Sequence, residues 1–222
     1  MKKKDLTSKS LINEALLFCK ANSGVYISDL FGVTDGKAIG TYVERQFKDF
    51  LNAKYNMESG NAAYGLDLPS VNVDIKVTSI RQPQSSCPFK DSRQKIFGLG
   101  YNLLVFVYKK HDDARQRKGM LEFVSCTYID KVRTADYQTT RGIADLLSND
   151  ANQDDIFAFL MDHRIPGDDV TLYQLAGEIL NRPPLIGYLT VSNALQWRLQ
   201  YGRIVALDEK VEGIVPIIKY QV

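Results

Sequence analysis

From residue 71 to residue 78 the chain alternates strictly, with Val71, Val73, Ile75 and Val77 interleaved with Asn72, Asp74, Lys76 and Thr78. Successive side chains on a strand point to opposite faces, so this segment predicts a strand with one apolar and one polar face. The polar face then holds Asp74 and Lys76 together, about 7 Å apart along the strand. A second acid, Asp67, stands upstream in Gly65-Leu66-Asp67-Leu68-Pro69-Ser70, with room for the chain to double back as a hairpin arm. Two carboxylates and an ammonium gathered in this way make an oxygen site for a hard cation. Such a site can bind a scissile phosphate, activate a water and neutralise the charge of a pentavalent transition state. The plainer alternative is an exposed amphipathic strand whose Asp74 and Lys76 form a surface ion bridge worth under about 1 kcal/mol. The same acid-x-Lys spacing recurs at Asp35-Gly36-Lys37 and Asp208-Glu209-Lys210, but in turns without apolar alternation.

Around this strand the patterning predicts helices and further strands. Leu11, Ala15, Leu16 and Phe18 space like a helix, and a second helix is expected over Lys37–Ala53, with Ile39, Val43, Phe47, Phe50 and Leu51 on its apolar stripe. A short helix is expected over Asp91–Phe97. Leu103–Tyr108 follows as a strand buried on both faces, and Met120–Tyr128 as another. The order predicts an α/β fold with a mixed central sheet flanked by helices. Beyond Thr139 the texture becomes helical, through Ile156–Leu160, Leu172–Leu180 and Ser192–Tyr201. Two strands, Arg203–Leu207 and Ile214–Ile218, then close on the turn Asp208-Glu209-Lys210. Three helices and a hairpin suggest a winged helix-turn-helix, so residues 1–150 are read as the core and 151–222 as a winged-helix-like α+β unit for DNA binding or dimerisation.

Composition narrows the chemistry. With 222 residues, 45% hydrophobic and 24% charged, the chain is long enough to bury a core and has neither a disordered nor a fibrous composition. No apolar run approaches a membrane span, and polar Asp5-Leu6-Thr7-Ser8 follows the basic Met1–Lys4, so a cytoplasmic protein is expected. Cys19, Cys87 and Cys126 are odd in number and widely spaced, which suits neither a disulfide framework nor zinc. With only His111 and His163, histidine nucleophile chemistry is disfavoured and carboxylate chemistry stays open. The net charge of +2 is uneven: residues 1–150 carry +5, residues 151–222 carry −3, and Lys76–Lys118 alone carries +7. A polyanion would be steered to that stretch.

Asp67, followed by Asp74-Ile75-Lys76 and the hydroxyls Thr78 and Ser79, resembles the motif of the PD-(D/E)XK nuclease superfamily, in particular type II restriction endonucleases. The resemblance covers Thr34 to Tyr128, and this chain carries Leu68-Pro69 after the first acid where the family form has a proline before it. It implies a restriction-endonuclease-like core in which Asp67 and Asp74 ligate Mg²⁺ and Lys76 orients or activates the attacking water, giving a 5′-phosphate and a 3′-hydroxyl. Mn²⁺ would substitute, and Ca²⁺ would support binding without cleavage. Many members also place a helix-borne glutamate near the metal. Glu44 is the candidate here, with Glu58 a distant competitor; alternatively, Glu44 merely pairs with Lys48 one helical turn on.

The substrate implied is double-stranded DNA, and two-fold symmetry suits a homodimer that cuts two antiparallel strands. Thr78 and Ser79 continue the polar face. The following Arg81, Gln82, Gln84, Ser85, Ser86 and Lys90 form a loop rich in groups suited to base edges and phosphates, with Arg93 and Lys95 on the next helix face. In the C-terminal unit Asn193, Gln196 and Arg198 would sit on a recognition helix. A repair or junction-resolving nuclease with the same core, and a winged-helix regulator without catalysis, are the alternatives.

Overall fold

The computed structural model describes residues 3–57, 65–86, 91–192 and 198–220. In chain order the elements are β1 (Lys4–Asp5), α1 (Ser8–Asn22), β2 (Tyr26–Ile27), α2 (Gly36–Asn52), β3 (Tyr55–Asn56), β4 (Val73–Ser79), β5 (Gln84–Ser86), α3 (Arg93–Phe97), β6 (Asn102–Asp113) and β7 (Lys118–Ile129). They continue with α4 (Tyr137–Leu147), α5 (Gln153–Asp162), α6 (Asp169–Asn181), β8 (Thr190–Val191), β9 (Arg198–Gln200), α7 (Gly202–Val205) and β10 (Ile214–Ile218). Among the described residues the chain weaves between two compact units. One gathers the residues up to Pro83, Asn102–Ile129 and those from Val205 on; the other gathers Gln84–Tyr101 and Asp130–Ile204. This partition is interleaved along the chain, unlike the sequence division at residue 150.

The first unit is built on the expected mixed sheet, in the order β10-β7-β6-β4, with β2 also pairing with β7. β4 and β6 run parallel, with Asp74 opposite Leu103 and Lys76 opposite Val105. The other pairings along the sheet are antiparallel. The apolar stripes of α1 and α2 supply Leu11, Ala15, Phe18, Ile39, Val43, Phe47 and Leu51 to a core that includes Val73, Ile75, Leu104 and Phe106. Aromatic rings knit this core edge to face, with Phe47 centred 5.1 Å from both Phe18 and Phe106. On β6, Leu103, Val105 and Val107 are buried as well, in keeping with the unbroken apolar run that predicted a strand covered on both faces. Cys19 and Cys126 are free thiols within this core.

In the second unit α4, α5 and α6 enclose Ile143, Ile156, Leu160, Leu172, Leu175 and Ile179, with Ile96 of α3. Each helix begins on an acidic or amide cap: Asp136 accepts from the Thr139 N–H, Asn152 from Asp154 and Asp155, and Asp168 from Thr171. α4 was not singled out by periodicity, although Asp136 and the apolar Ile143 and Leu147 were there to signal it. β5, β9 and β8 form a separate antiparallel sheet.

The C-terminal segment differs from the winged-helix expectation. The described end of the helix expected over Ser192–Tyr201 is not helical: Arg198–Gln200 is a strand with buried Leu199 between half-buried Arg198 and exposed Gln200. The pair Leu195 and Leu199 fits helical spacing, yet Leu199 also fits the alternation of a strand. Arg203–Leu207 is not a strand: Arg203, Ile204 and Val205 lie in the short helix α7 and Ala206 in the turn after it. Ile214–Ile218 is a strand as expected, but it pairs with β7 at the edge of the main sheet. The hairpin that would have been the wing is therefore absent among the described residues. Asn193, Gln196 and Trp197 lie outside the described residues, as do Glu58, Cys87 and Lys90.

Candidate active site

Among the described residues β4 ends the main sheet on the side opposite β10, so one of its edges is unpaired by any strand in that sheet. The residues before it fold back onto that edge. Leu68 and Val73 exchange backbone hydrogen bonds of 3.0 and 3.1 Å, and a 3-10 turn over Pro69–Val71 with Asn72 in the left-handed region (φ 53°, ψ 48°) closes the loop between them. Pro69 suits the first position of that turn, since its fixed φ is helical and its missing N–H is not needed there. Asn72 leaves the alternation for this reason, and the strand begins at Val73 instead of Val71. Asn102 at the start of β6 ties the turn down: its N–H donates to the Asn72 carbonyl at 2.9 Å and its Nδ2 to the Val71 carbonyl at 3.3 Å.

The doubling back delivers Asp67 to β4. Its Oδ2 accepts the Ile75 N–H at 2.8 Å, which extends the strand ladder by a side chain. Asp74 is buried with 7% of its surface exposed, and the Lys76 ammonium donates to its Oδ2 at 2.7 Å. The Asp67 carboxyl also lies within hydrogen-bonding reach of both Asp74 and Glu44. Glu44 comes from α2, which packs across β4 with Gly40 beside Val77. Lys48, one turn further along α2, donates to Glu44 Oε1 at 2.6 Å and to Asp67 Oδ1 at 2.7 Å. The pairing of Glu44 with Lys48 one turn on is thus present, and the same glutamate lies beside the Asp67 carboxyl.

The electrostatics follow from this crowding. Burial raises Asp74, the hydrogen bond shared with Asp67 raises it further, and Lys76 only partly offsets them, so its pKa rises from 3.8 to about 6. Burial would raise Asp67 as well, but the hydrogen bonds from Asp74, Lys48, Glu44 and the Ile75 N–H carry it down to about 2. The two carboxyls behave as one coupled pair holding a proton between them at mildly acid pH. Glu44 is raised by its own burial and by Asp67 against the pull of Lys48. The donors are oxygens of ionisable carboxyls, which suit a hard divalent cation far better than a soft one. Among the described residues no three His, Cys, Asp or Glu side chains stand as a ready-made metal cage. Lys48 enters this cluster between Glu44 and Asp67; the sequence offered it only as the partner of Glu44 four residues on, with no sign of its second contact to Asp67.

The residues expected to meet DNA are distributed less uniformly. Arg81 and Gln82 are exposed just past the end of β4. Thr78 is buried, with its Oγ1 donating to the Gln82 carbonyl at 3.2 Å, and Ser79 Oγ accepts the Arg81 N–H at 3.3 Å, so the two hydroxyls shape the turn. Gln84–Ser86 is a strand against Arg198–Gln200 instead of an open loop, and Ser85 Oγ hydrogen-bonds with the Tyr201 hydroxyl at 2.6 Å. Arg93 pairs with Glu178 and stacks over Phe97. Lys95 does not face outward: it is 5% exposed, and burial lowers its pKa against the opposing charge of Asp136. The helix of five residues is too short for periodicity to decide its faces.

The family model for type II restriction enzyme NspV matches residues 5–216. A type II restriction enzyme NspV from Nostoc sp. is 50% identical over 214 residues, covering 96% of this chain and 97% of that protein. No solved structure matches the chain. No helix among the described residues is long and apolar enough to cross a membrane. A match running from β1 into β10, across the Asp67-Asp74-Lys76 cluster, shows that the chain belongs to the type II restriction enzyme NspV family, a family of restriction endonucleases.

Proposed function

We propose that this restriction enzyme hydrolyses phosphodiester bonds of double-stranded DNA with Mg²⁺ at the Asp67-Asp74-Lys76 cluster, in the manner of the PD-(D/E)XK superfamily, on a restriction-endonuclease-like core. The observation that carries the reading is the convergence of Asp67 and Asp74 from a folded-back turn and an edge strand, with Lys76 2.7 Å from Asp74. Asp67 and Asp74 would hold the ion, with Glu44 joining through its contact with Asp67. A Mg²⁺ ion held by these carboxylates would supply Lewis acidity to the scissile phosphate and favour deprotonation of water.

The protein's own groups account for the rest. Lys76 shares the face of β4 with Asp74, so its ammonium is held where it can hydrogen-bond the attacking water and offset charge that builds on the phosphate. The Ile75 N–H fixes one Asp67 oxygen and the Leu68–Val73 bridge fixes its backbone, which keeps the two carboxyls at constant separation. Arg81 and Gln82, exposed beyond β4, are the groups nearest in sequence for phosphate and base-edge contacts. A homodimer would present two such sites to the two antiparallel strands.

Purified protein incubated with unmodified plasmid and phage DNA should yield discrete fragments in Mg²⁺ and none in Ca²⁺. Asp74→Ala and Lys76→Ala should abolish cutting with circular dichroism unchanged. A fully active Asp74→Ala protein would sink the assignment.

A further inference from the structure

Lys48 is the cation that the sequence motif does not contain. It enters the carboxylate cluster from α2, and its Nζ is 2.6 Å from Glu44 Oε1 and 2.7 Å from Asp67 Oδ1. Its side chain is 30% exposed, so part of its hydration has been exchanged for two charged acceptors. The span is also structural: Glu44 and Lys48 lie one turn apart on α2, whereas Asp67 arrives from the turn before β4, so a single ammonium joins the helix to the folded-back arm. A two-ion nuclease site needs carboxylates that reach beyond the first ion to a second. In this cluster one oxygen each of Glu44 and Asp67 already meets an ammonium.

Resting on the active-site reading above, we propose that Lys48 is a positioning residue that acts as a resident cation, taking the place of a second divalent ion and leaving room for a single ion per site, held by Asp67 and Asp74 with the Glu44 oxygen that Lys48 does not engage. It stands where a second ion would need Glu44, and it brings the outer edge of the cluster toward neutrality without a metal. Replacing it by a neutral side chain of similar length frees Glu44 and one Asp67 oxygen together, which opens a second carboxylate pair for a hard cation.

The test is the number of ions bound, measured by titrating Ca²⁺ alone into metal-free protein by calorimetry. Wild type and Lys48→Arg should bind one Ca²⁺ per chain and Lys48→Met two; Lys48→Gln, which keeps hydrogen bonding without charge, should also bind two. In parallel, the logarithmic slope of cleavage rate against sub-saturating Mg²⁺ should rise from about one to about two in Lys48→Gln. Two Ca²⁺ bound by the wild type, or one bound by both neutral variants, overturns the proposal. If Lys48→Met fails to fold, the count for Lys48→Gln and for wild type decides in the same way. Asp74→Asn separates the two claims, since Ca²⁺ binding that survives this change removes the active-site reading itself, whatever Lys48 does.

Discussion

Asp74 carries a charge that the metal-free fold disfavours. Its pKa is raised from 3.8 to about 6, so folding binds a proton between these values, and the stability this contributes below pH 4 is lost as pH rises through 6. Asp67, lowered to about 2, works in the opposite sense: its contribution is present above pH 4 and lost as pH falls toward 2. At the level of this pair, the metal-free protein is most comfortable near pH 4. Asp74→Asn should therefore raise the stability of EDTA-treated protein at pH 8, by about 1–3 kcal/mol, and change it little at pH 4. Thermal melts of the two proteins at both pH values check this. A stabilising substitution that also removes cutting is the signature of a residue kept for chemistry at a cost to the fold.

At the scale of elements, the decisive piece is the turn that carries Asp67 to β4. Asn72 holds φ 53° there, a conformation that costs most side chains about 1–2 kcal/mol and glycine almost nothing. Asn72→Ala should lower stability by about 1 kcal/mol and reduce cleavage, because the Asp67 arm loosens, whereas Asn72→Gly should keep most of both. Urea unfolding beside initial cleavage rates gives the comparison. The site strand was legible because its period of two is strict over Val73–Val77, and α1 and α2 because their stripes repeat over several turns. Asp67 was legible only as a candidate, since its approach depends on a left-handed residue and a 3-10 turn that no alternation records. Lys95 was misread because five helical residues show no dominant face. Arg198–Gln200, the described end of the expected Ser192–Tyr201 helix, was misread because one apolar pair at i, i+4 satisfies a helix while its second member also satisfies a strand.

For the whole molecule, the strongest sequence inference was the mixed sheet with flanking helices, and the weakest was the order in which chain segments assemble. Hydrophobic periodicity identifies elements one at a time. It does not say that Gln84–Tyr101 leaves the β4–β6 pair for another unit, or that the strand after α7 returns to β7. The same scale carries the quaternary prediction. Cutting both strands of a duplex suits a two-fold assembly, so sedimentation at micromolar concentration should give a particle of twice the 25.1 kDa chain mass, and a monomer that still cuts both strands in one encounter would contradict it.

The pairing of β10 with β7 has a consequence for how the protein reaches its native state. β7 is in place by Ile129, but the strand that covers its outer edge begins only at Ile214. Until that late segment docks, the stretch Cys126–Ile129 presents unpaired amide and carbonyl groups, the kind of edge that recruits strands from other molecules. Refolding yield should therefore fall steeply with protein concentration, and losing residues 214–218 should leave a chain that aggregates before it can be assayed.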